Sequence, residues 1–372
     1  MKFPLPAALA AVLCAAAPAS AASAPKSAPL FSFAVSGDSR NCGDVVMPAV
    51  AKGVSGSDFY WHLGDFRAMF GVDEDIKDVV ANKKDYAEFA DASGALPLAA
   101  YYNFIAWKDF ADRQLAPFSV PVYLLPGNHE TTYPTVHYPD NLNPQPGVNV
   151  KSAADYMSMF GRYRPGETND QEQPYYAWRH QNVQFVALDN SRGDDFDSAQ
   201  TAWFDAVMDA ADKDAAVKAV VVAMHEALPG SISSGHSMDQ ARSQANGRHV
   251  YQRLLAAQNA GKRVYVLASH SHFVMNGVFN NQPEAERLPG WILGTGGAVR
   301  YRLPSKAALA DAPTMTDVYG FAIATVDASG SVDFQYHQLS KDDLKSAAGD
   351  RYSDKLIDFC FDQNKDMKQP KD

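Results

Sequence analysis

Five times in this 372-residue sequence, a β-prone run ends and an oxygen or imidazole donor follows at once. The run 30–35 leads into Gly37-Asp38-Ser39-Arg40, and the run 57–63 into Gly64-Asp65. The run 120–125 ends in Pro126-Gly127-Asn128-His129-Glu130, 217–223 in Met224-His225-Glu226, and 263–268 in Ser269-His270-Ser271-His272. Asp38, Asp65, Asn128, His225, His270 and His272 are the residue types that ligate Zn, Mn, Fe or Ni, more than Ca or Mg alone. Each has an ordinary structural explanation when taken singly. A Gly-Asp turn is common, and a strand-end His is more often a hydrogen-bonded core group. The inference rests on the repetition in order.

A strand that delivers a functional group at its carboxyl end is how open α/β sheets build ligand sites. The hydrophobic pattern supplies the rest of such a fold. Helical spacing is expected over 44–52, 152–160, 200–211 and 246–260, a hairpin over 175–179 and 183–188, and further strands over 291–294, 320–326 and 332–338. No strand signal falls between 66 and 118, which reads as a helical insertion. Its alternating charges from Asp73 to Glu88 read as a solvated face. Tyr101, Phe104, Trp107, Ala111 and Leu115 recur at helical spacing and read as core. Polar loops at 131–150 and 230–244 place His137 and His236 beside the donor-bearing edge. For a loop His the solvated reading is favoured over substrate contact. His62, inside a strand, reads as structural.

Residues 1–22 have Lys2, an Ala/Leu/Val stretch too short to span a bilayer, and small residues at Ala19-Ser20-Ala21. They are expected to be a signal peptide, with the mature protein periplasmic or secreted. No later apolar run suits membrane insertion. The remainder is expected to form one domain over 30–340, with a C-terminal helix and tail over 341–372. A formal charge of −10 without Lys/Arg clusters argues against a nucleic-acid polymer as partner. Cys42 and Cys360 either pair or stay as buried thiols.

The ordered donors resemble the calcineurin-like metallophosphoesterases, whose series runs Asp-x-His, Gly-Asp, Gly-Asn-His-Asp/Glu, a lone His, then Gly-His-x-His. Gly37-Asp38, Gly64-Asp65, Gly127-Asn128-His129-Glu130, His225 and His270-x-His272 match that order across 30–275. The resemblance implies an α/β fold of two mixed β-sheets packed as a sandwich and flanked by helices. It implies two transition-metal ions bridged by Asp65. Asp38 and His272 would complete one site, and Asn128, His225 and His270 the other. It further implies hydrolysis of a small phosphomonoester or phosphodiester by a metal-bound hydroxide. Paired ions ~3.5–4 Å apart acidify water and clamp phosphoryl oxygens. His129 would face the substrate as the acid for the departing alkoxide. Glu130 would orient it or cap the turn.

Two positions depart from the pattern. Arg40 stands where the second residue of Asp-x-His is usually found, and an arginine cannot ligate a metal. Purple acid phosphatases compensate with a Tyr three residues after the bridging Asp, where this chain has Ala68. Arg40 either grips a phosphate oxygen as a substrate-binding group or pairs with a carboxylate. The alternative function is therefore a non-catalytic or single-metal ligand-binding descendant of the fold.

Overall fold

The computed structural model describes residues 1, 28–68, 73–76, 98–130, 148–149, 151–166, 172–191, 193, 195–233 and 235–366. Residues 2–22 of the expected leader, His137 and most of the charged run 73–88 lie outside the described residues.

Two mixed sheets form the centre of the fold. Its strands are β1 Pro29–Ser36, β2 Phe59–His62, β3 Val122–Leu124, β4 Tyr176–His180, β5 Val183–Ala187, β6 Ala219–Ala223 and β7 Arg263–Ala268. They continue with β8 Val274–Asn276, β9 Gly290–Leu293, β10 Arg300–Tyr301, β11 Asp311–Met315, β12 Gly320–Asp327, β13 Val332–Gln338 and β14 Lys365–Asp366. One sheet has the order β13-β12-β1-β2-β3, the other β11-β8-β9-β7-β6-β5-β4, and β10 pairs with β14. Strands β1, β2 and β3 are parallel, as are β5, β6, β7 and β9. Their carboxyl ends therefore emerge along one edge of each sheet, and the donors follow there.

Side-chain alternation makes four layers of this arrangement. Phe33 and Val35 of β1, Trp61 of β2 and Val221 of β6 meet between the sheets. Ala34 faces the other way, against α1 (Gly43–Gly53) and the Leu344-bearing helix Lys341–Ala348. Val220 and Val222 of β6 pack against the helices Ser198–Lys213 and Gln244–Asn259 on the far side. This is the helix-flanked sandwich expected from the sequence.

The described part of the insertion is helical, but its register is not a single α-helix. Leu98–Ala100 and Ala106–Phe110 are α turns separated and followed by π turns at Tyr101–Ile105 and Ala111–Leu115. The wider turns shift the buried stripe. Tyr101, Ala111 and Leu115 are buried as expected, whereas Phe104 is 65% exposed. Asp73 and Asp75, expected on a solvated face, are fully buried instead. Asp75, Asp44 and Asp109 surround the buried Arg67 at 3.4, 2.8 and 3.1 Å. Asp73 accepts the backbone N–H groups of Asn41 and Ala68 at 2.6 and 3.0 Å. The acidic residues closest to the second strand thus tie the insertion to the loops after β1 and β2.

Candidate metal centre

Three of the predicted donors sit in backbone that L-residues rarely adopt. Asp38, Asp65 and His270 have φ of 59°, 62° and 62°. Left-handed residues of this kind cost on the order of 1–3 kcal/mol each and persist where the surroundings fix them. The turn after β2 also needs Gly64, at φ 91°, because a Cβ there would lie 2.5 Å from the Gly127 nitrogen. Close packing of the two loops puts Gly127 directly against the Asp65 carboxylate.

The side chains converge in two sets that share Asp65. Potential ligand atoms of Asp65, His225 and His270 lie within 4.8 Å of one another, as do those of Asp38, Asp65 and His272. Asn128 joins the first of these, its Oδ1 being 3.0 Å from His225 Nε2. Asp38, Asp65 and His225 are fully buried, and His270 is half-buried. The structure therefore brings together all of the expected metal donors, with His129 and Arg40 beside them.

The hydrogen bonds show which atoms are aimed inward. His225 Nδ1 lies 2.9 Å from the Leu63 carbonyl, which can only accept, so the proton sits on Nδ1. Ser269, 3.0 Å away, donates to the same carbonyl and holds the ring. His225 Nε2 then turns a lone pair toward Asp65 Oδ1 at 3.2 Å, Asn128 Oδ1 at 3.0 Å and His270 Nδ1 at 3.1 Å. His272 repeats the device: Nδ1 donates to the Val299 carbonyl at 2.6 Å and leaves Nε2 inward. Buried Asp38 Oδ1 and Asp65 Oδ2 accept no hydrogen bond from the described residues. A cluster of buried carboxylate, amide and imidazole acceptors with so few donors among them suits a cation. The donor set therefore fits a transition metal. On the protein's groups alone, burial opposes a charged His225 but Asp65 raises it to about 10, so with no cation bound Nε2 carries a proton that a metal would have to displace. Burial likewise works against ionised Asp65, while His225, His129 and Arg40 hold it well below the usual carboxylate range.

Of the two roles expected of Glu130, it takes the capping one and does not orient His129. Its carboxylate accepts the backbone N–H groups of Asp65, Gly127 and Phe66 at 2.8, 2.8 and 2.7 Å. It fixes the loop that carries Asp65 and leaves the His129 ring alone. The backbone N–H of His129 donates to Asp65 Oδ1 at 3.1 Å, and the ring Nε2 lies 3.8 Å from Asp65 Oδ2. Burial and the nearby Arg40 push this imidazole down to about 3. That is far under the near-neutral value suited to an acid, and a phosphate anion beside it would raise it.

Tyr301 was not among the residues expected at the site. Its ring stacks on His272 at 4.0 Å, and its hydroxyl accepts from Arg40 Nη2 at 3.4 Å. The His236 ring lies 5.3 Å from the rings of both His270 and Tyr301. This loop histidine therefore borders the site. His62 is core, its imidazole pushed by burial down to about 3. No signal in the sequence around Val299-Arg300-Tyr301 marked it, because β10 is only two residues long.

Neither a family model nor a curated protein sequence matches this chain. Among solved structures it is similar to a purple acid phosphatase from yellow lupin (Lupinus luteus) seeds, at 14% identity and a TM-score of 0.53. That match covers 84% of this chain and 55% of the lupin chain, so this protein spans about half the length of that relative. It is also similar to PhoD, at 13% identity and a TM-score of 0.50, over 84% of this chain and 72% of that one. Likeness at these identities is a likeness of architecture: the chain has the helix-flanked, two-sheet fold of the metallophosphoesterases.

Proposed function

We propose that this protein is an exported, metal-dependent phosphoesterase that hydrolyses a small phosphomonoester or phosphodiester. The observation that carries the reading is the convergence of Asp38, Asp65, Asn128, His225, His270 and His272 from five strand ends, with inward lone pairs fixed by Leu63 and Val299. The phosphatase named among the similar structures supports the reaction class. A transition-metal ion (Fe, Zn, Mn or Ni), when bound, would supply an acidified water and positive charge for the phosphoryl oxygens. Asp65, Asn128, His225 and His270 would hold it. Arg40 would bind a phosphoryl oxygen, since its guanidinium lies beside Asp65 and His272 and its side chain is 15% exposed. His129 would give its proton to the departing alkoxide oxygen. Ser269 and Leu63 keep His225 in the tautomer that can ligate.

The fuller form of this reading is dinuclear, with a second ion at Asp38, Asp65 and His272. A mononuclear centre is the second reading, favoured by the contact of Arg40 with His272. Export is supported by the leader-like residues 1–22 and by the Cys42–Cys360 disulfide, a bond that persists in oxidising compartments. An acidic chain without a basic track fits a small phosphorylated substrate better than a nucleic-acid polymer.

The test is a panel of phosphomonoesters and phosphodiesters run on metal-stripped protein with each ion restored, beside Asp65→Asn. Turnover should vanish on stripping, return with a transition metal, and fall by at least ~10³-fold in Asp65→Asn while the circular dichroism is unchanged. Hydrolysis that survives in the Asn variant would remove the proposal.

A further inference from the structure

We infer that Arg40 is a resident cation in the donor set of Asp38, Asp65 and His272, so that the guanidinium stands where a second metal ion would otherwise bind and the centre holds one ion. This rests on the phosphoesterase reading and narrows its metal count.

The tautomer of His272 is fixed by the backbone. Its Nδ1 donates to the Val299 carbonyl, so Nε2 carries the lone pair a metal would need. Arg40 Nη2 lies 3.2 Å from that atom and donates to it. Arg40 Nε lies 3.5 Å from Asp65 Oδ2, the carboxylate oxygen turned away from His225. Asp38 Oδ1 is 3.5 Å from the same His272 Nε2. The guanidinium thus contacts two of the three groups in the set, at the atoms that would ligate. An ion there would have to displace a positive charge already neutralising a buried carboxylate.

Arg40 is not a side chain that could easily swing clear. The next residue, Asn41, has φ 67°, and its N–H donates to the buried Asp73 at 2.6 Å. Its Oδ1 accepts from the Val299 N–H at 3.2 Å, and Cys42 is bonded to Cys360. Tyr301, stacked on His272, accepts from Nη2 on the remaining side. The loop, the ring and the phenol therefore build a socket for a planar, permanently charged group.

The substitution of guanidinium for metal has a chemical consequence. A guanidinium supplies a fixed single charge and fork-shaped donors for a phosphoryl oxygen, but no site at which water is acidified. Nucleophile activation then falls to the ion held by Asp65, Asn128, His225 and His270 alone. The same geometry accounts for the two sequence departures together: with a cation supplied by the chain, neither the missing His nor the missing Tyr at Ala68 has a metal to serve.

The test is metal stoichiometry after loading purified protein with excess Mn²⁺ or Zn²⁺ and removing free ion. The wild type should retain one ion per chain, and Arg40→His, which restores an imidazole, should retain two. Electron paramagnetic resonance of the Mn²⁺-loaded wild type gives a readout independent of how the variant folds. It should show an uncoupled, mononuclear spectrum. Two ions in the wild type, a spin-coupled spectrum, or a folded Arg40→His that stays at one ion would each overturn the inference and leave the phosphoesterase reading standing. A wild type that retains none would remove the metal centre itself, and this inference with it.

Discussion

At the scale of single residues, the donors could be read because metal chemistry restricts them to a few types and strand ends place them at predictable points. What could not be read was how the inward lone pairs are set. Leu63, Ser269 and Val299 act through a backbone carbonyl or a small hydroxyl, and nothing in their identity marks that role. Glu130 is the instructive case, since its place beside His129 suggested a partnership that the fold does not make. Its three backbone acceptances hold the Asp65 loop instead. Glu130→Gln keeps the shape but replaces one acceptor oxygen with a donor facing N–H groups. A buried donor left unsatisfied costs about 1–3 kcal/mol. The variant should therefore lose stability of that order in chemical denaturation and bind Zn²⁺ more weakly by calorimetry. Unchanged affinity would mean the loop does not depend on this carboxylate.

At the scale of elements, strands and amphipathic helices followed their periodicity closely. β1 was expected at 30–35 and spans Pro29–Ser36, and the helix expected at 246–260 spans Gln244–Asn259. The insertion was harder because its π turns move the buried stripe and its acidic residues are satisfied by Arg67, far along the chain from Asp109. Charge alternation alone cannot tell a solvated face from a buried network. That network has a pH signature. Burial, with Asp44 and Asp73 nearby, raises the Asp75 carboxyl well above its usual range despite Arg67. The folded chain then keeps a proton that the unfolded chain releases near pH ~3.9. This contribution is full below that pH and is lost as pH rises through the folded value. Unfolding free energy of the wild type, measured against Asp75→Asn, should therefore fall as pH increases from 4 upward. Parallel curves for the two proteins would show that Asp75 titrates normally.

At the scale of the whole molecule, the four layers were legible because each strand buries alternate residues against different partners. The closure of the chain on itself was not. Cys42 and Cys360 are 318 residues apart, and only the fold shows that the C-terminal segment returns to the loop bearing Arg40. Buried Arg300 strengthens that return by donating to the carbonyls of Cys360, Phe361 and Asn364. Removing a cross-link that closes so long a loop typically costs about 2–5 kcal/mol. Cys360→Ser or reduction should lower the denaturation midpoint accordingly, whereas an unchanged midpoint would deny the bond a stabilising role. Every proposed role depends on one location for the ion, so the most direct measurement is anomalous diffraction from crystals soaked in Zn²⁺. The strongest peak is predicted among Asp65, Asn128, His225 and His270, about 2.0–2.2 Å from the ligating atoms. A strongest peak elsewhere, or none between those side chains, would contradict it.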